Sequence, residues 1–319
     1  MNLFEKGMDI SIMKLQWAKE IAEFIDPTNV KVDEPLNKYT MTKLGGPADV
    51  FVMAETEEQA GQVVKYARKN NVPIFLLGNG SNMVIRDGGI RGIVLNLSKL
   101  DQIHIDGTTV YAQSGALIID VSRAAAAESL TGLEFSCGIP GSVGGAMAMN
   151  AGAYGGEIND VIESCKVLTQ EGDVIVLSKE ELELGYRKSI IQSQGFYALS
   201  SIFQLQKGNK QEIDATIEDF TFKRTSKQPL EFPSAGSVFK RPPGMFAGKL
   251  IQDSELQGKG VGGAEVSTKH AGFIINKDNA TATDYIETIR MVQKVVKEKF
   301  DVELETEVRI VGEDAVPTK

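Results

Sequence analysis

Residues 132–157 read GLEFSCGIPGSVGGAMAMNAGAYGGE, and their glycine content is the strongest structural indication in the chain. Eight of these 26 residues are glycine, compared with 32 of 319 in the full sequence. Glycine loses more backbone freedom on folding than any other residue, so such a cluster lowers stability unless close packing compensates for it. We therefore expect either a compact connection within the chain or a ligand that lies directly against this backbone.

A second glycine-containing segment, LGNGSN at residues 77–82, has the composition of an anion-binding turn. It matches neither standard nucleotide motif. No GxxxxGK[ST] string occurs, and Met83 occupies the position of the third glycine in the dinucleotide fingerprint. A turn between two strands can nevertheless bind an anion through several unpaired N–H groups. Alone, the segment is typical of a simple tight turn, but two such loops in one chain favour an extended cofactor that contains phosphate.

Composition and charge exclude several classes of protein. With a net charge of −9, the chain has no evident basic surface for nucleic acid, although a few local cations could bind a small anion. No segment approaches the roughly 18 to 20 apolar residues of a membrane span, and the N-terminus has no signal-peptide core, so we predict a cytoplasmic location. The two cysteines (Cys137, Cys165) and two histidines (His104, His270) predict neither a disulfide framework nor a metal site.

Hydrophobic periodicity predicts an α+β fold in two or three lobes. Strands are predicted over 48–53, 72–78, 83–87, 88–97, 102–106, 108–115 and 197–205, with a hairpin over 162–178 and a final strand over 301–312. Helices are predicted over 11–25, 56–71, 116–132, 207–229 and 283–299. Thr283 and Asp284 are the predicted caps of the last helix, and its apolar face contains Ile286, Ile289, Val292, Val295 and Val296.

At this point the sequence resembles a known family. LGNGSN, PGSVGGAMAMNAGAYGGE, GYRKS, GSVFKRPPG, GKLIQ, AGFIIN and LETEVRIVG occur in the order found in UDP-N-acetylenolpyruvoylglucosamine reductases, the MurB family. The resemblance covers residues 30–312 and is closest to the shorter subgroup, which lacks an inserted segment with a substrate-covering tyrosine. It implies an N-terminal helix and lead-in over 1–33, an FAD-binding domain of the vanillyl-alcohol-oxidase (PCMH) type over 34–207, and a linker helix with a C-terminal α+β substrate-binding domain over 208–319.

The resemblance also implies an activity. Members of this family bind FAD and use NADPH to reduce UDP-N-acetylenolpyruvoylglucosamine to UDP-N-acetylmuramate, a peptidoglycan precursor. Hydride passes from reduced flavin N5 to the terminal carbon of the enolpyruvyl double bond, and negative charge accumulates on the carbon next to the carboxylate. The enzyme must stabilise that charge and deliver a proton. We expect FAD to be bound non-covalently, and we expect no nucleic-acid or membrane partner.

Three residues match the family's catalytic positions. Arg187 in GYRKS matches the arginine that faces the substrate carboxylate, and a guanidinium can bind a carboxylate through two hydrogen bonds. Ser237 in PSAGSVFK matches the proton donor. Glu307 in LETEVRIVG matches a glutamate of the same site, where it is either protonated or orients Arg187. Outside this family context, each of these residue types in such a segment is more often a surface residue.

The remaining matches concern the cofactor and the substrate. The predicted cofactor-binding residues are Gly78, Asn79, Gly80, Ser81, Asn82, Gly138, Pro140, Gly141, Ser142, Gly144, Gly145, Asn150, Gly152 and Arg224. The predicted substrate-binding residues are Tyr186, Lys227, Lys240, Arg241 and His270. Arg241 departs from the asparagine that many relatives have, and His270 falls near a family glutamine.

Two other interpretations stay open at this stage. One is a different oxidoreductase on the same flavin scaffold, such as a carbohydrate or alcohol oxidase. Many of those attach FAD through a histidine, and residues 105–269 contain none, which disfavours that interpretation. The other is a non-catalytic nucleotide-binding module, which would leave Arg187, Ser237 and Glu307 without a role.

Overall fold

The computed structural model of the chain describes residues 10–315. Residues 1–9, which belong to the predicted N-terminal lead-in, and residues 316–319 of the predicted C-terminal domain lie outside the described residues. Within the described part, no helix is long and apolar enough to cross a membrane.

The regular elements alternate along the chain in the manner of an α+β protein. The α-helices of the described residues are α1 (Ile10–Ile21), α2 (Glu57–Lys69), α3 (Ile118–Ala127), α4 (Val143–Ala148), α5 (Ile158–Val161), α6 (Ile190–Gln194), α7 (Lys210–Lys227), α8 (Ala247–Asp253) and α9 (Ala282–Phe300). The strands are β1 (Val30–Pro35), β2 (Pro47–Met53), β3 (Ile74–Leu77), β4 (Met83–Ile85), β5 (Ile90–Asn96), β6 (Ile103–Asp106), β7 (Thr109–Gln113), β8 (Leu130–Thr131), β9 (Gly152–Ala153), β10 (Gly156–Glu157), β11 (Ile162–Leu168), β12 (Val174–Ser178), β13 (Tyr197–Gln204), β14 (Gln206–Lys207), β15 (Ser234–Ser237), β16 (Gly260–Val261), β17 (Ala264–Val266), β18 (Phe273–Asn276) and β19 (Arg309–Val311).

The described chain divides into two compact units. Unit 1 comprises residues 10–33, 49–79 and 92–223, and unit 2 comprises residues 34–48, 80–91 and 224–315. These bounds differ from the domains predicted over 34–207 and 208–319. One reason is that β4 pairs in parallel with the C-terminal β19, so its segment belongs with the end of the chain rather than with its sequence neighbours.

Unit 1 is built on two sheets. Most of a four-stranded sheet in the order β1-β2-β5-β3 shares a hydrophobic core with α1 and α2. The second sheet is antiparallel, in the order β12-β11-β13-β7-β6, and its core includes buried side chains of α3 and α4. Both cores are formed by alternating apolar residues of the strands and by the apolar faces of the helices, as the periodicity predicts.

Unit 2 contains an antiparallel sheet in the order β15-β18-β17-β16 and the β19-β4 pair. Helix α9 buries Ile286, Ile289, Val292 and Val296, four of its five predicted face residues, in the core of this unit. Two devices fix the start of α9: a capping box between Thr281 and Asp284, and the carboxylate of Asp87. Asp87 accepts hydrogen bonds from the N–H groups of residues 282 and 283.

The structure corrects several local predictions. The N-cap of α9 is Thr281 and not Thr283, because the helix begins at Ala282; Asp284 is the third residue of the helix and completes the capping box. Helix α1 ends at Ile21 instead of residue 25. The final strand predicted over 301–312 is limited to Arg309–Val311. Helix α4 forms inside the glycine-rich run, where no helix was expected.

Candidate active site

The two glycine-containing loops meet in unit 1. The side-chain amide of Asn79 donates a hydrogen bond to the carbonyl oxygen of Pro140 at 2.6 Å. A Cβ atom on Gly78 would lie 2.9 Å from Oγ of Ser142, closer than real Cβ contacts allow. Four predicted cofactor residues from segments about 60 positions apart are thus neighbours. A side chain at position 78 would therefore require the Ser142 hydroxyl to shift.

The segment from Gly80 to Asn82 belongs to unit 2 and is held through its carbonyl groups. The N–H of Met41 donates to the oxygen of Gly80 at 3.1 Å, and the N–H of Arg309 donates to the oxygen of Asn82 at 3.1 Å. Gly80 has φ of 56°, and a Cβ there would lie 2.3 Å from the carbonyl oxygen of Tyr39. Only glycine combines this left-handed backbone with so close an approach.

The N–H groups of the same segment are unused. Among residues 10–315, no hydrogen bond is donated by the backbone N–H of Gly80, Ser81 or Asn82. Consecutive N–H groups with tethered carbonyls form a concavity that favours an anionic oxygen. This feature of unit 2 fits a phosphate-bearing cofactor, and the cofactor contacts of these three residues stay predictions.

In helix α4, which lies in the glycine-rich run, the N–H groups of the first turn donate hydrogen bonds to other groups of the chain. Oγ of Ser142 caps α4 by accepting from the N–H of Gly145, and the N–H of Gly144 donates to the carbonyl oxygen of Ser114 at 2.9 Å. A Cβ on Gly144 would lie 2.9 Å from Cβ of Ser114. The beginning of α4 is therefore packed against the chain itself, and the absence of a side chain at Gly144 permits that packing.

Other glycines of the run are also explained by contacts within unit 1. A Cβ on Gly152 would lie 2.7 Å from the carbonyl oxygen of Gly156, and a Cβ on Gly156 would lie 2.8 Å from the ring of Phe135. The compact connection considered for this run therefore accounts for Gly144, Gly152 and Gly156. The predicted cofactor contacts of Gly138, Gly141 and Gly145, like those of Gly144 and Gly152, stay predictions.

Ser114 is a candidate that the sequence did not indicate. Its side chain is buried, with 4% exposure, and its Oγ has no hydrogen-bond partner in the part of the chain that the structure describes. A buried hydroxyl normally has a partner. Ser114 lies against α4 beside the cofactor loops, so its free hydroxyl fits a polar atom of a bound cofactor. The only indication in the sequence is a Ser-Gly pair directly after a strand.

Arg187 lies in a tight turn whose ends are fixed by reciprocal hydrogen bonds between the backbones of Gly185 and Lys188. Its φ is 55°, a conformation that non-glycine residues rarely adopt and that is often retained at functional sites. The guanidinium is half-buried, donates to the carbonyl oxygen of Gly152 at 3.4 Å and lies 5.2 Å from the ring centre of Tyr186. Tyr186 itself is 59% exposed.

Asn150 connects this turn to the glycine-rich run. Its side-chain amide donates to the carbonyl oxygen of Gly185 at 3.1 Å, and its side-chain oxygen accepts from the N–H of Asn159 at 2.9 Å. Ser189 adds a hydrogen bond to the carbonyl oxygen of Ala148 at 2.7 Å. The side chain of Asn150 thus links the glycine-rich run to the Arg187 turn, and its predicted contact with the cofactor stays a prediction.

Ser237 and Glu307 are brought onto adjacent segments of unit 2. Ser237 is the exposed last residue of β15, preceded by Gly236 with φ of 75° and open space where a Cβ would point. The N–H of Glu307 donates to the carbonyl oxygen of Val238 at 2.8 Å. Glu307 is half-buried. The backbone segments that carry Ser237 and Glu307 are therefore neighbours in unit 2, and the predicted catalytic roles of the two residues stay predictions.

The predicted basic residues of unit 2 have different surroundings. Arg224 and Lys227 occupy the last turn of α7, with Lys227 exposed. Lys240 forms an ion pair with Glu305, and the guanidinium of Arg241 lies 4.6 Å from the ring centre of Phe246. Lys240 would have to share its charge between Glu305 and an anionic ligand.

The side chain of His270 contacts residues of its own turn. Its Nδ1 accepts a hydrogen bond from the N–H of Gly272 at 3.2 Å, and its ring meets the edge of Phe273 at 4.7 Å. Burial lowers the pKa of His270 below its usual value, which favours the neutral ring. These contacts explain His270 structurally, and its predicted contact with substrate stays a prediction.

Comparison with known proteins places this geometry in context. Residues 48–178 match the sequence model of an FAD binding domain, and residues 228–311 match that of the UDP-N-acetylenolpyruvoylglucosamine reductase C-terminal domain. The UDP-N-acetylenolpyruvoylglucosamine reductase of Oceanobacillus iheyensis is 59% identical over 297 residues, which are 93% of this chain and 97% of the relative. The protein of the same name from Staphylococcus carnosus is 57% identical over 295 residues, which are 92% of this chain and 96% of the relative.

A solved structure agrees with the sequence comparisons. The crystal structure of UDP-N-acetylenolpyruvylglucosamine reductase (MurB) from Thermus caldophilus superposes with a TM-score of 0.77 at 34% identity, covering 88% of this chain and 99% of the other. The predicted fold class is confirmed: an FAD-binding region of the vanillyl-alcohol-oxidase type and a C-terminal α+β domain.

Proposed function

The chain belongs to the UDP-N-acetylenolpyruvoylglucosamine reductase family, and we propose that it reduces UDP-N-acetylenolpyruvoylglucosamine to UDP-N-acetylmuramate with NADPH as the electron donor. The family and the FAD binding domain make it an FAD-containing oxidoreductase of peptidoglycan synthesis. The observation that best supports the specific reaction is the pairing of the Ser237 and Glu307 segments in unit 2. The predicted cytoplasmic location is part of the same proposal.

Bound FAD supplies the hydride for this reaction when NADPH has reduced it. The N–H groups of Gly80, Ser81 and Asn82, which have no partner among residues 10–315, would hold its phosphate oxygens, and Arg224 would contribute a positive charge near the cofactor. The buried hydroxyl of Ser114 would supply one further polar contact. The protein's part in the chemistry is to orient the reactants and to stabilise charge.

The substrate carboxylate is the natural partner of Arg187. A guanidinium keeps its charge and can donate two parallel hydrogen bonds to a carboxylate. As hydride adds to the terminal carbon of the double bond, negative charge spreads from the neighbouring carbon onto that carboxylate, and Arg187 stabilises it more in the transition state than before. Glu307 is the second residue to which we assign stabilisation of this charge, as a proton-bearing group.

Ser237 completes the reaction by donating its hydroxyl proton to the carbon next to the carboxylate. The double bond thereby becomes a single bond, with hydride on one carbon and the proton on the other. The exposed position of Ser237 next to Gly236 lets substrate approach the hydroxyl without a steric barrier. Lys227 and Lys240 stabilise the alkoxide that remains until it recovers a proton from solvent. With Arg241, they also bind the anionic sugar nucleotide.

Anaerobic absorbance measurements of the flavin test the proposal directly. NADPH should bleach the yellow protein, and UDP-N-acetylenolpyruvoylglucosamine should restore the colour with stoichiometric formation of UDP-N-acetylmuramate. Sugars and simple alcohols should neither bleach the oxidised protein nor replace NADPH. Rapid bleaching by glucose, or failure of the enolpyruvyl substrate to reoxidise the flavin, would contradict the proposed reaction.

A further inference from the structure

The turn that carries Arg187 is attached to the glycine-rich run through two buried side chains. Oγ of Ser189 donates to the carbonyl oxygen of Ala148 at 2.7 Å, and the side-chain amide of Asn150 donates to that of Gly185 at 3.1 Å. Both side chains belong to residues with 0% exposure, and all the residues involved are part of unit 1. The position of the turn is therefore determined by the run.

The backbone of Asn150 is part of the end of α4. Its N–H donates to the carbonyl oxygen of Met147 at 3.3 Å, and the N–H of Ala151 donates to that of Ala146 at 2.9 Å. These two bonds form a Schellman motif, in which the residue after the C-cap adopts the left-handed conformation. Asn150 has φ of 41°, a conformation that glycine adopts as readily as asparagine does. The helix end therefore does not explain why the residue has a side chain.

The side chain of Asn150 makes contacts that glycine could not reproduce. Its Oδ1 accepts a hydrogen bond from the N–H of Asn159 at 2.9 Å, which fixes the direction of the amide group. Its Nδ2 faces the carbonyl oxygen of Gly185, and this oxygen also accepts from the N–H of Lys188 at 3.1 Å. Because a buried polar group without a partner lowers stability, both ends of the amide favour this one orientation.

We propose that Asn150 is a positioning residue for Arg187 and acts through its hydrogen bond to Gly185, two residues before the arginine. The inference rests on the proposed function, in which Arg187 binds the substrate carboxylate. Arg187 has φ of 55°, and such a conformation persists only where surrounding contacts hold the backbone. A paired donor must lie within about 0.5 Å of its productive position. A shift of the turn should therefore reduce turnover more than binding.

The variant Asn150→Gly separates positioning from a role as a helix cap. Glycine retains the left-handed backbone at the end of α4, so a residue needed only there would lose nothing. We expect reoxidation of the flavin by the enolpyruvyl substrate to slow about 10- to 100-fold more than reduction by NADPH, with a much smaller change in KM. Stopped-flow absorbance on the flavin-loaded chain measures both half-reactions. Normal reoxidation, or equal slowing of both, overturns the inference.

The variant Asn150→Asp gives the same test with an unchanged side-chain shape. Ionised aspartate still accepts a hydrogen bond but donates none to Gly185, so only the bond to the turn is lost. The matched control is Asn276→Asp in unit 2, because the side chain of Asn276 donates to the carbonyl oxygen of Thr42 at 3.0 Å and accepts from the N–H of Ala280 at 2.9 Å. The control should lose stability but reoxidise normally. Equal slowing in both aspartate variants would contradict an effect specific to the Arg187 turn.

A double-mutant cycle with Arg187→Lys shows whether Asn150 acts through the arginine. Lysine lacks the planar pair of donors, so the exact position of the turn matters less in its presence. Adding Asn150→Gly to Arg187→Lys should therefore lower turnover by less than about 2-fold. Residues that act independently would combine their full losses, and that result overturns the inference.

Amide hydrogen exchange on the flavin-loaded chain tests the same inference without substrate. The N–H groups of Gly185 and Lys188 each donate to the carbonyl oxygen of the other residue. In Asn150→Gly we expect them to exchange about 10-fold faster than in the unchanged chain, the effect of one lost hydrogen bond. Unchanged exchange overturns the positioning role even if turnover falls. If NADPH reduces the unchanged chain but the enolpyruvyl substrate does not reoxidise it, the proposed function fails, and the exchange rates alone decide whether Asn150 positions the turn.

Discussion

Ser237 has the features of a proton donor that substrate must reach from solvent. It lies at the exposed end of β15, and Gly236 leaves the space beside it open. An alcohol is a weak acid, but the carbanionic centre of the proposed reaction is a strong base, so proton transfer from Ser237 to it would be favourable. With only two histidines in the chain, few other side chains could perform this step.

We expect Ser237→Ala to leave FAD binding and flavin reduction by NADPH nearly unchanged, since neither step requires the hydroxyl proton. Reoxidation by the enolpyruvyl substrate should slow by at least about 10²- to 10⁴-fold, the range typical of a general acid. Stopped-flow absorbance separates the two half-reactions. Ser234→Ala, three residues earlier in the same strand, is the control and should reoxidise normally. Equal slowing of both half-reactions would show that Ser237 is not the donor.

The conformation of Arg187 predicts a specific effect of lysine at this position. Both residues tolerate the turn equally, so Arg187→Lys retains the charge and the backbone but removes the planar pair of donors. We expect turnover to fall by about 10²- to 10³-fold, with a much smaller change in substrate affinity. Lys188→Gln alters a neighbouring exposed charge and should leave both constants unchanged. If affinity fell in step with turnover, Arg187 would be an ordinary binding residue.

His270 makes stability depend on pH. Because burial lowers its pKa in the folded chain, the unfolded chain takes up a proton at a higher pH than the folded chain does. The contribution of His270 to the free energy of unfolding is therefore complete above its usual pKa of about 6.5 and is lost as pH falls below it. Protonation of Nδ1 would also break the hydrogen bond from Gly272.

Urea titrations at about pH 7.5 and 5.5 measure this effect, since those values lie on either side of the usual histidine pKa. We expect His270→Gln to lose less stability between the two pH values than the unchanged chain. His104→Gln, which replaces an exposed histidine on β6, should retain the original dependence. An unchanged slope in the His270 variant would show that other groups determine the acid sensitivity.

Among the secondary-structure elements, α7 shows how a side chain distant in sequence can position residues that are candidates for binding the cofactor and the substrate. Nζ of Lys269 donates to the carbonyl oxygen of Thr225 at 2.9 Å. That oxygen lies in the last turn of α7, between Arg224 and Lys227. The last carbonyl groups of a helix lack partners within the helix, and a cation at this end is favourable. Lys269 therefore fixes the turn from which both basic side chains project.

Replacing Lys269 by methionine removes the donor but keeps the length of the side chain. We expect the KM for the enolpyruvyl substrate to rise about 10-fold, the value of one lost charged hydrogen bond. The melting temperature and the rate of flavin reduction should change little. Arg at the same position should recover most of the loss. Lys249→Met, which removes an exposed lysine paired with Asp253 on α8, serves as the control. A loss of stability without a change in KM would make Lys269 purely structural.

Elements with a strong local pattern were predictable, and α9 is the clearest case. Its apolar spacing is a property of the helix itself and predicted the buried face, although the capping threonine is Thr281 and not the predicted Thr283. The segment 301–312 also alternates, but its regular strand is limited to Arg309–Val311, and Leu304 and Val308 are buried although the backbone before Arg309 bonds to residues 238–240 without forming a regular ladder. Alternation reports burial of one face and not the presence of a partner strand. Helix α4 was missed because glycine has low helix propensity, whereas the Ser142 cap and the burial of Met147 stabilise it.

For the site, the sequence identified the loops but not what lies against them. The pattern of glycines indicated close approach correctly. Only the structure shows that Gly144, Gly152 and Gly156 face other parts of the chain, while the N–H groups of 80–82 donate to no group within residues 10–315. The role of Asn150 as a link to the Arg187 turn and the free hydroxyl of Ser114 depend on long-range contacts that no local motif encodes.

Across the full chain, net charge is a poor guide to ligand preference. The chain carries −9, yet Arg224, Lys227, Lys240 and Arg241 are close in sequence and belong to unit 2. Of the salt bridges formed by these four, the structure shows that of Lys240 with Glu305. A small anion responds to nearby charges more than to the total, because exposed charges beyond roughly 10 Å are screened. The acidic surface elsewhere is compatible with an anionic nucleotide as substrate.

The mode of FAD attachment follows from the distribution of reactive side chains over the chain. Covalent attachment requires an accessible nucleophile beside the cofactor, commonly histidine or cysteine. Cys137 and Cys165 are 6% and 0% exposed, and burial raises the pKa of the Cys165 thiol to about 12, so little thiolate is available there. His104 is exposed on β6, and Nδ1 of His270 is engaged with Gly272. FAD is therefore expected to be held by non-covalent contacts alone.

Acid precipitation of the yellow protein, followed by absorbance of pellet and supernatant, measures this directly. We expect all of the flavin in the supernatant, one FAD per chain, because acid unfolds the chain and destroys the contacts that hold the cofactor. The apoprotein prepared in this way should regain its absorbance on refolding with FAD. The refolded protein should also unfold at a higher urea concentration when FAD is present. At a free FAD concentration 100 times the dissociation constant, the free energy of unfolding should increase by about 2.7 kcal/mol. Yellow colour retained in the washed pellet would mean that one of these four side chains reacts with the flavin after all.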